Sequence, residues 1–232
     1  LPSVQRRVPV TADPIKFEPA IRAFEKRVPI TRDEWDKLDK SEREFAFTVS
    51  GATQADLVTQ VYEAIDKAVE TGSTFEEFKA GSFVDELYDA WGGESPSRLE
   101  MVFRTGVNQA YNDGREAVFR QPAVADLRPI WRYERGGGED CDICDECEGV
   151  ILPADDPWWN DHRPLMHPNC VCSFSALTKD EAAEEGYVAA DDEDAPDVDA
   201  ADGFGDSDEE WSPDLSNYPD EIAEILGRVL DR

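Results

Sequence analysis

Lysine and histidine are scarce in this sequence. Of its 232 residues only 7 are Lys and 2 are His, against 16 Arg and 53 Asp or Glu. A net charge of −30 argues against a chain that grips a polyanion through its overall field. No apolar run of about 18 residues occurs, so no membrane-spanning helix is indicated. Position 1 is Leu and no signal-peptide pattern follows it, which reads as a processed or truncated chain. There is no internal repeat, no base between residues 180 and 227, and no cysteine outside residues 141–172.

What is abundant is carboxylate. At ordinary ionic strength so large a charge repels itself and destabilises the compact state. Near 1 M salt the Debye length falls to about 3 Å and that repulsion is mostly screened. Carboxylates keep a surface hydrated, whereas the apolar stem of Lys becomes sticky in high salt. An acid-rich, Lys-poor chain therefore points to a halophilic setting. One acidic tail on an ordinary protein accounts for only part of the charge. Residues 180–227 hold 19 acids, but residues 1–179 still carry 33 acids against 21 bases.

The expected fold class is α+β, mainly α. Residues 1–13, with two prolines and Arg6-Arg7, read as an extended arm. A helical domain should occupy 14–128. Its first helix spans about 14–27, with Ile21, Phe24 and Val28 as its stripe. Thr31 should cap a helix running to about 44, with 45–49 as a connector. Thr53 should cap a third helix, in which Leu57, Val61, Ile65 and Val69 recur every four residues and Gly72 is the stop. Thr74 should cap a helix to about 91, broken by Gly92-Gly93. Ser95-Pro96 should open a long helix to about 121. Residues 129–178 read as a small zinc-knuckle β unit with strands at 130–133 and 173–177. An acidic, disordered linker over 179–211 and a C-terminal amphipathic helix over 212–232 complete the chain. Ile222, Ile225, Leu226, Val229 and Leu230 form that last helix's apolar stripe.

All five cysteines, Cys141, Cys144, Cys147, Cys170 and Cys172, crowd into the β unit together with His167. Cys141-Asp-Ile-Cys144 is a C-x2-C knuckle, and His167-Pro-Asn-Cys170-Val-Cys172 offers a second ligand pair about 25 residues later. Structural zinc suits two such pairs, since thiolate and imidazole bind it tetrahedrally and it lends folding energy to loops with little core. A disulfide-bonded loop would leave one cysteine over. A catalytic metal needs an open position, which a surplus of ligands does not suggest. The best set is Cys141, Cys144, His167 and one of Cys170 or Cys172, with Cys147 spare.

The helix after Pro96 has two features. Gly106, Ala110 and Gly114 make a smooth stripe for close backbone approach. Arg104, Asn108, Tyr111 and Arg115 share one face, either as a polar seam between helices or as a partner contact.

These motifs, taken in order, resemble a known family. Arg104-Thr105, Ala110-Tyr111-Asn112 and Gly114-Arg115 are similar to the R-T…A-Y-N-x-G-R helix of the phage Mu F-like head-morphogenesis proteins. Pro129 and a strand, Cys141-x2-Cys144, Gly149, Asp156-Pro157-x-Trp159, Pro164 and His167-Pro-Asn-Cys170-x-Cys172 follow in the family's order. The stretch 45–51, with Gly72 and Phe75, fits its upstream helical part, so the resemblance covers about residues 14–178. Val171 stands where the family often has Arg or Lys, and Cys147 where an apolar residue is usual. The acidic stretch after 180 has no counterpart.

The resemblance implies a minor capsid protein in the head interior or at the portal vertex of a tailed virus. It would act in head assembly and in DNA packaging or ejection, and be assembled in the host cytoplasm. Its expected partners are the portal protein, the major capsid protein and packaged DNA, with no catalytic residues. Arg104, Asn108, Tyr111, Arg115, Ile222, Leu226 and Val229 are the candidate contact residues.

Two rival functions stand beside it. Asp161-His162-Arg163-Pro164, near knuckle cysteines, is similar to the Asp-His element of HNH-type nucleases, but too few residues separate it from Cys170 for that motif's helix. A DNA-binding module would rest on residues 1–32, with seven bases and three acids. Counterion release contributes little at high salt, so this arm fits an acidic protein partner better.

Overall fold

A computed structural model describes residues 16–38, 43, 46–137, 141–187, 195–201 and 204. The expected arm at 1–13 and the C-terminal helix at 212–232, with Ile222, Leu226 and Val229, lie outside the described residues. The fold is mainly helical with a small amount of sheet.

The helical region is built on one long rod. Helix α1 (Glu18–Glu25) is shorter than the predicted 14–27, and Ile21 and Phe24 are buried as expected. Val28 is buried too, but it belongs to strand β1 (Val28–Pro29). Helix α2 (Arg32–Trp35) carries the expected Thr31 cap, as a full capping box with Glu34. It stops far short of 44, because the chain turns after Trp35 to bury Leu38. The connector at 45–49 contains a strand, β2 (Ala46–Phe47), which pairs in parallel with β1.

Helix α3 (Ala55–Thr71) buries Leu57, Val61, Ile65 and Val69 and ends on Gly72 at φ 70°, as the spacing predicted. Its N-cap is Gln54, not Thr53, and makes no side-chain cap bond. The helix expected over 74–91 is two, α4 (Phe75–Lys79) and α5 (Val84–Ala90). Thr74 caps the first through a capping box with Glu77. The break falls at Gly81, where the Phe83 ring lies so close that a Cβ would sit 2.3 Å from it.

Helix α6 (Pro96–Phe119) is the rod. Pro122, expected only to follow it, opens a further helix, α7 (Pro122–Leu127). The Gly106-Ala110-Gly114 stripe faces the packing partners. A Cβ on Gly114 would stand 2.3 Å from the backbone nitrogen of Ala20, so α1 crosses α6 at backbone contact. Gly106 meets Ile65 of α3. Phe24, Leu57, Val61, Ile65, Leu87 and Leu99 form the core between these helices.

The second unit is a three-stranded antiparallel sheet, ordered β4 (Ile151–Pro153), β3 (Ile130–Glu134), β5 (Ser173–Leu177). The two outer-sequence strands were expected; β4 was not. Trp131, Tyr133, Trp159, Met166 and Phe174 fill its core. The acidic linker expected over 179–211 departs from prediction at both described places. Residues after Thr178 form helix α9 (Lys179–Glu184), capped by a Thr178–Glu181 box. Farther on, Ala195, Val198, Ala200 and Phe204 pack on the β unit's core. Their small apolar side chains find a surface that composition alone does not reveal.

Candidate metal centre

Helix α8 (Asp142–Cys147) was not anticipated, and it organises the knuckle. Cys141 is its N-cap and Cys144 lies in its first turn, so both thiols project to one side. Gly149, at φ 76°, then lets the chain turn into β4, and its amide donates to the Tyr133 carbonyl at 3.1 Å. The second pair is presented by a tight reversal. Asn169 sits at φ 63°, and the Cys170 amide donates to the His167 carbonyl at 3.2 Å.

These two loops bring the ligand atoms into two groups that share Cys144. His167 Nε2 is 3.1 Å from Cys141 Sγ and 3.1 Å from Cys144 Sγ, and Cys144 Sγ is 3.7 Å from Cys170 Sγ. The edge of a tetrahedral zinc–thiolate site is about 3.8 Å for a Zn–S length of about 2.3 Å. His167 Nδ1 donates to the Pro168 carbonyl at 2.8 Å, which leaves Nε2 bare toward the thiols, as a metal-binding histidine requires. Cys172 joins Cys144 and Cys170 in a second overlapping group. This cluster of cysteines and histidine can hold a metal ion. All five cysteines are free thiols, so the disulfide alternative has no pair in the structure.

Protonation separates the thiols. Hydrogen bonds from Cys144 and then Cys170 hold the Cys172 thiol far below its ordinary value. Hydrogen bonding to Cys170 and Cys172, with burial, pushes Cys144 the opposite way. Cys147 is fully buried and joins neither ligand group, and burial, then the proximity of Cys172, pushes it up to about 12.

Helix α6 clamps this loop by a ladder that sequence reading missed. The Asn169 amide donates to Thr105 Oγ1 at 2.8 Å, Asn108 Nδ2 to the Cys170 carbonyl at 3.1 Å, and Asn112 Nδ2 to the Cys172 carbonyl at 3.0 Å. From Asn108 to Asn112 four residues of helix advance about 6.0 Å, and from Cys170 to Cys172 two residues of extended chain advance about 6.6 Å, so these two rungs stay in register. The signal lay in Thr105-x2-Asn108-x3-Asn112, one helical face. Gly136 completes the clamp, since a Cβ there would stand 2.0 Å from the Val171 carbonyl oxygen.

The expected face of Arg104, Asn108, Tyr111 and Arg115 divides. Asn108 is in the ladder, and Arg115 donates to Asn112 Oδ1 at 2.9 Å. Arg104 pairs with Glu100 at 2.8 Å near the surface. Tyr111, 36% exposed, stacks on Phe17 at 5.9 Å. The Asp161–Pro164 stretch is structural in its contacts. His162 stacks on Trp158 at 4.4 Å, its Nδ1 donates to the Trp158 carbonyl at 2.8 Å, and its Nε2 accepts from the Val198 amide at 3.2 Å. Both ring nitrogens are engaged in these contacts. Arg163 forms a buried ion pair with Glu116 of α6.

The chain also matches known proteins in sequence. A family model described as Phage Mu protein F like protein matches residues 59–175, a span from α3 to β5 that includes all five cysteines and His167. The putative capsid assembly protein F of Escherichia phage Mu is 31% identical over 158 residues, covering 61% of this chain and 36% of that protein. The Mu-like prophage FluMu F protein of Haemophilus influenzae is 29% identical over 160 residues, covering 62% and 38%. The chain thus spans less than two fifths of either relative. No solved structure matches. The rod, its asparagine ladder and the clamped cysteine loop all fall inside the matched span, and the chain belongs to the Phage Mu protein F-like family.

Proposed function

We propose that this chain is a head-assembly component of a tailed virus and a structural part, not an enzyme. The observation that carries the reading is the family match across the rod and the cysteine unit, together with a relative named as a capsid assembly protein. In this reading Cys141, Cys144, His167 and Cys170 hold one zinc ion, which supplies folding energy to a unit made largely of loops. Cys172 lies beside the ion's shell and Cys147 stays a core thiol. The ladder from α6 then fixes the stapled unit on the helical rod as one rigid piece.

The chain works inside the head or at the portal vertex, against the portal protein, the major capsid protein or packaged DNA. Arg104 and Tyr111, with Ile222, Leu226 and Val229 of the C-terminal segment, are the contact residues in this proposal. The acidic, Lys-poor composition supports a host cytoplasm at high salt. No helix among the described residues is long and apolar enough to cross a membrane.

Two measurements test the reading. Native mass spectrometry should find one zinc per chain, lost in Cys170→Ser and retained in Cys172→Ser. Cryo-EM of particles should place the chain inside the head or at the portal vertex. Purified heads lacking it would remove the assembly role, and a metal-free mass for the parent would remove the zinc.

A further inference from the structure

A cleft of about 340 Å³ lies between the end of α1, the β1–β2 pair and the first half of α6, and reaches the metal loop at Pro168. Three guanidinium groups, Arg27, Arg32 and Arg98, line it in a chain whose net charge is −30. Each already has one acceptor. Arg27 bonds Asp113 at 2.9 Å, Arg32 bonds Asp36 at 2.8 Å, and Arg98 donates to the Ser50 carbonyl at 2.6 Å. A guanidinium has five N–H donors, so capacity remains.

The walls also carry orphaned polar atoms. Arg27, Trp35 and Thr48 line the cleft, and their Nε, Nε1 and Oγ1 atoms are buried without a hydrogen-bond partner among the described residues. All three can donate. Buried donors are normally satisfied, so three wall residues with spare donor capacity, beside three guanidinium groups, favour an acceptor-rich, anionic occupant. Phe24, Phe47 and Met101 make the rest of the wall apolar, which favours a ligand with an aromatic group as well as carboxylates.

The chain supplies such a ligand at the cleft's own rim. The amide of Ala201 donates to the Met166 carbonyl at 2.8 Å, and Phe204 then lines the cleft beside Pro168. From there the sequence reads Gly205-Asp206-Ser207-Asp208-Glu209-Glu210-Trp211. Four carboxylates and a tryptophan thus follow within seven residues, a reach of up to about 25 Å. We propose that the Arg27–Arg32–Arg98 cleft is the binding site for this acidic segment, residues 206–211 of the same chain. Its carboxylates take the free guanidinium donors, and Trp211 takes the apolar wall.

Photo-crosslinking of the full chain tests this, with p-benzoylphenylalanine in place of Ser207. Irradiation should join position 207, within one chain, to peptides from residues 27–50 or 98–109. Arg32→Gln combined with Arg98→Gln should lower that yield at least fivefold. Should the double variant misfold, Asp206→Asn, Asp208→Asn, Glu209→Gln and Glu210→Gln together make the same comparison from the other side. Crosslinks elsewhere, crosslinks only between copies, or a yield unmoved by these changes would overturn the assignment.

Discussion

Asn112 of the long helix donates its side-chain amide to the carbonyl of Cys172 at 3.0 Å, and only 3% of Asn112 is exposed. The same side chain accepts from Arg115, so one residue ties the rod, the cysteine loop and a half-buried guanidinium together. Asn112→Ala strands a buried carbonyl and a buried donor, at a cost of about 1–3 kcal/mol. Asn108→Ala, at a half-exposed rung, should cost about 0.5–1.5 kcal/mol. Urea melts of the two variants give the comparison. Equal losses would show that the buried rung does not set the register.

Gly114→Ala should be the more damaging of two glycine changes on the same helix. Its new Cβ would meet the Ala20 backbone nitrogen at 2.3 Å, and a helix backbone cannot yield locally. Overpacking of this kind costs about 1–3 kcal/mol, more than the roughly 1 kcal/mol gained in helix propensity. Gly106→Ala meets the end of the Ile65 side chain at 2.8 Å, which can rotate, so its net effect should be near zero. Thermal melts decide; a Gly114→Ala chain as stable as the parent would mean that α1 and α6 are not locked together.

Much of this arrangement was legible in the residues. The four-residue spacing of Leu57 to Val69, the Thr31 and Thr74 caps, and the strands at 130–133 and 173–177 all depend on local chemistry, and all are present. The ligand crowding was legible because cysteines bunch for few other reasons. What escaped depends on distant partners. Strands β1 and β2 are two residues each and pair only because α1 and α3 pack beneath them. Phe83 folding over Gly81 splits a helix that periodicity joins. Ala195, Val198 and Phe204 sit in an acid-rich stretch, and only the tryptophan-lined surface of the β unit gives them a place.

Metal removal should act on one unit more than the other. With a strong chelator, the near-ultraviolet circular dichroism from Trp131, Trp158 and Trp159 should collapse while most helical signal from α3 and α6 remains. In the untreated chain an alkylating agent should modify half-buried Cys141 before fully buried Cys147. Burial pushes the Cys147 thiol up to about 12, so at neutral pH it stays protonated and unreactive. The sign is opposite in alkali. The unfolded chain releases that proton near pH 9 and the folded chain holds it, so stability falls between about pH 9 and 12. Mass spectrometry of alkylated peptides gives the order; labelling of Cys147 as early as Cys141 would mean that it is not a core thiol.

Salt should stabilise the chain, although salt weakens each of its ion pairs. The exposed pairs, such as Lys16–Glu70 and Arg104–Glu100, contribute little singly, so their screening is a small loss. The Glu116–Arg163 pair is buried and feels salt least. Against these stands the repulsion of 33 acids facing 21 bases over residues 1–179, before the 19 acids of 180–227 are added. Between about 0.1 and 1 M salt the screening length drops from about 10 Å to about 3 Å, shorter than typical spacings between surface carboxylates. The melting temperature should therefore climb by several degrees from 0.1 to 1 M KCl, each 2–4 °C reporting about 1 kcal/mol for a chain of this size. Sodium sulfate must be avoided in the comparison, because its exclusion from protein surface stabilises any fold. A melting temperature that stays level or falls in KCl would remove the halophilic setting.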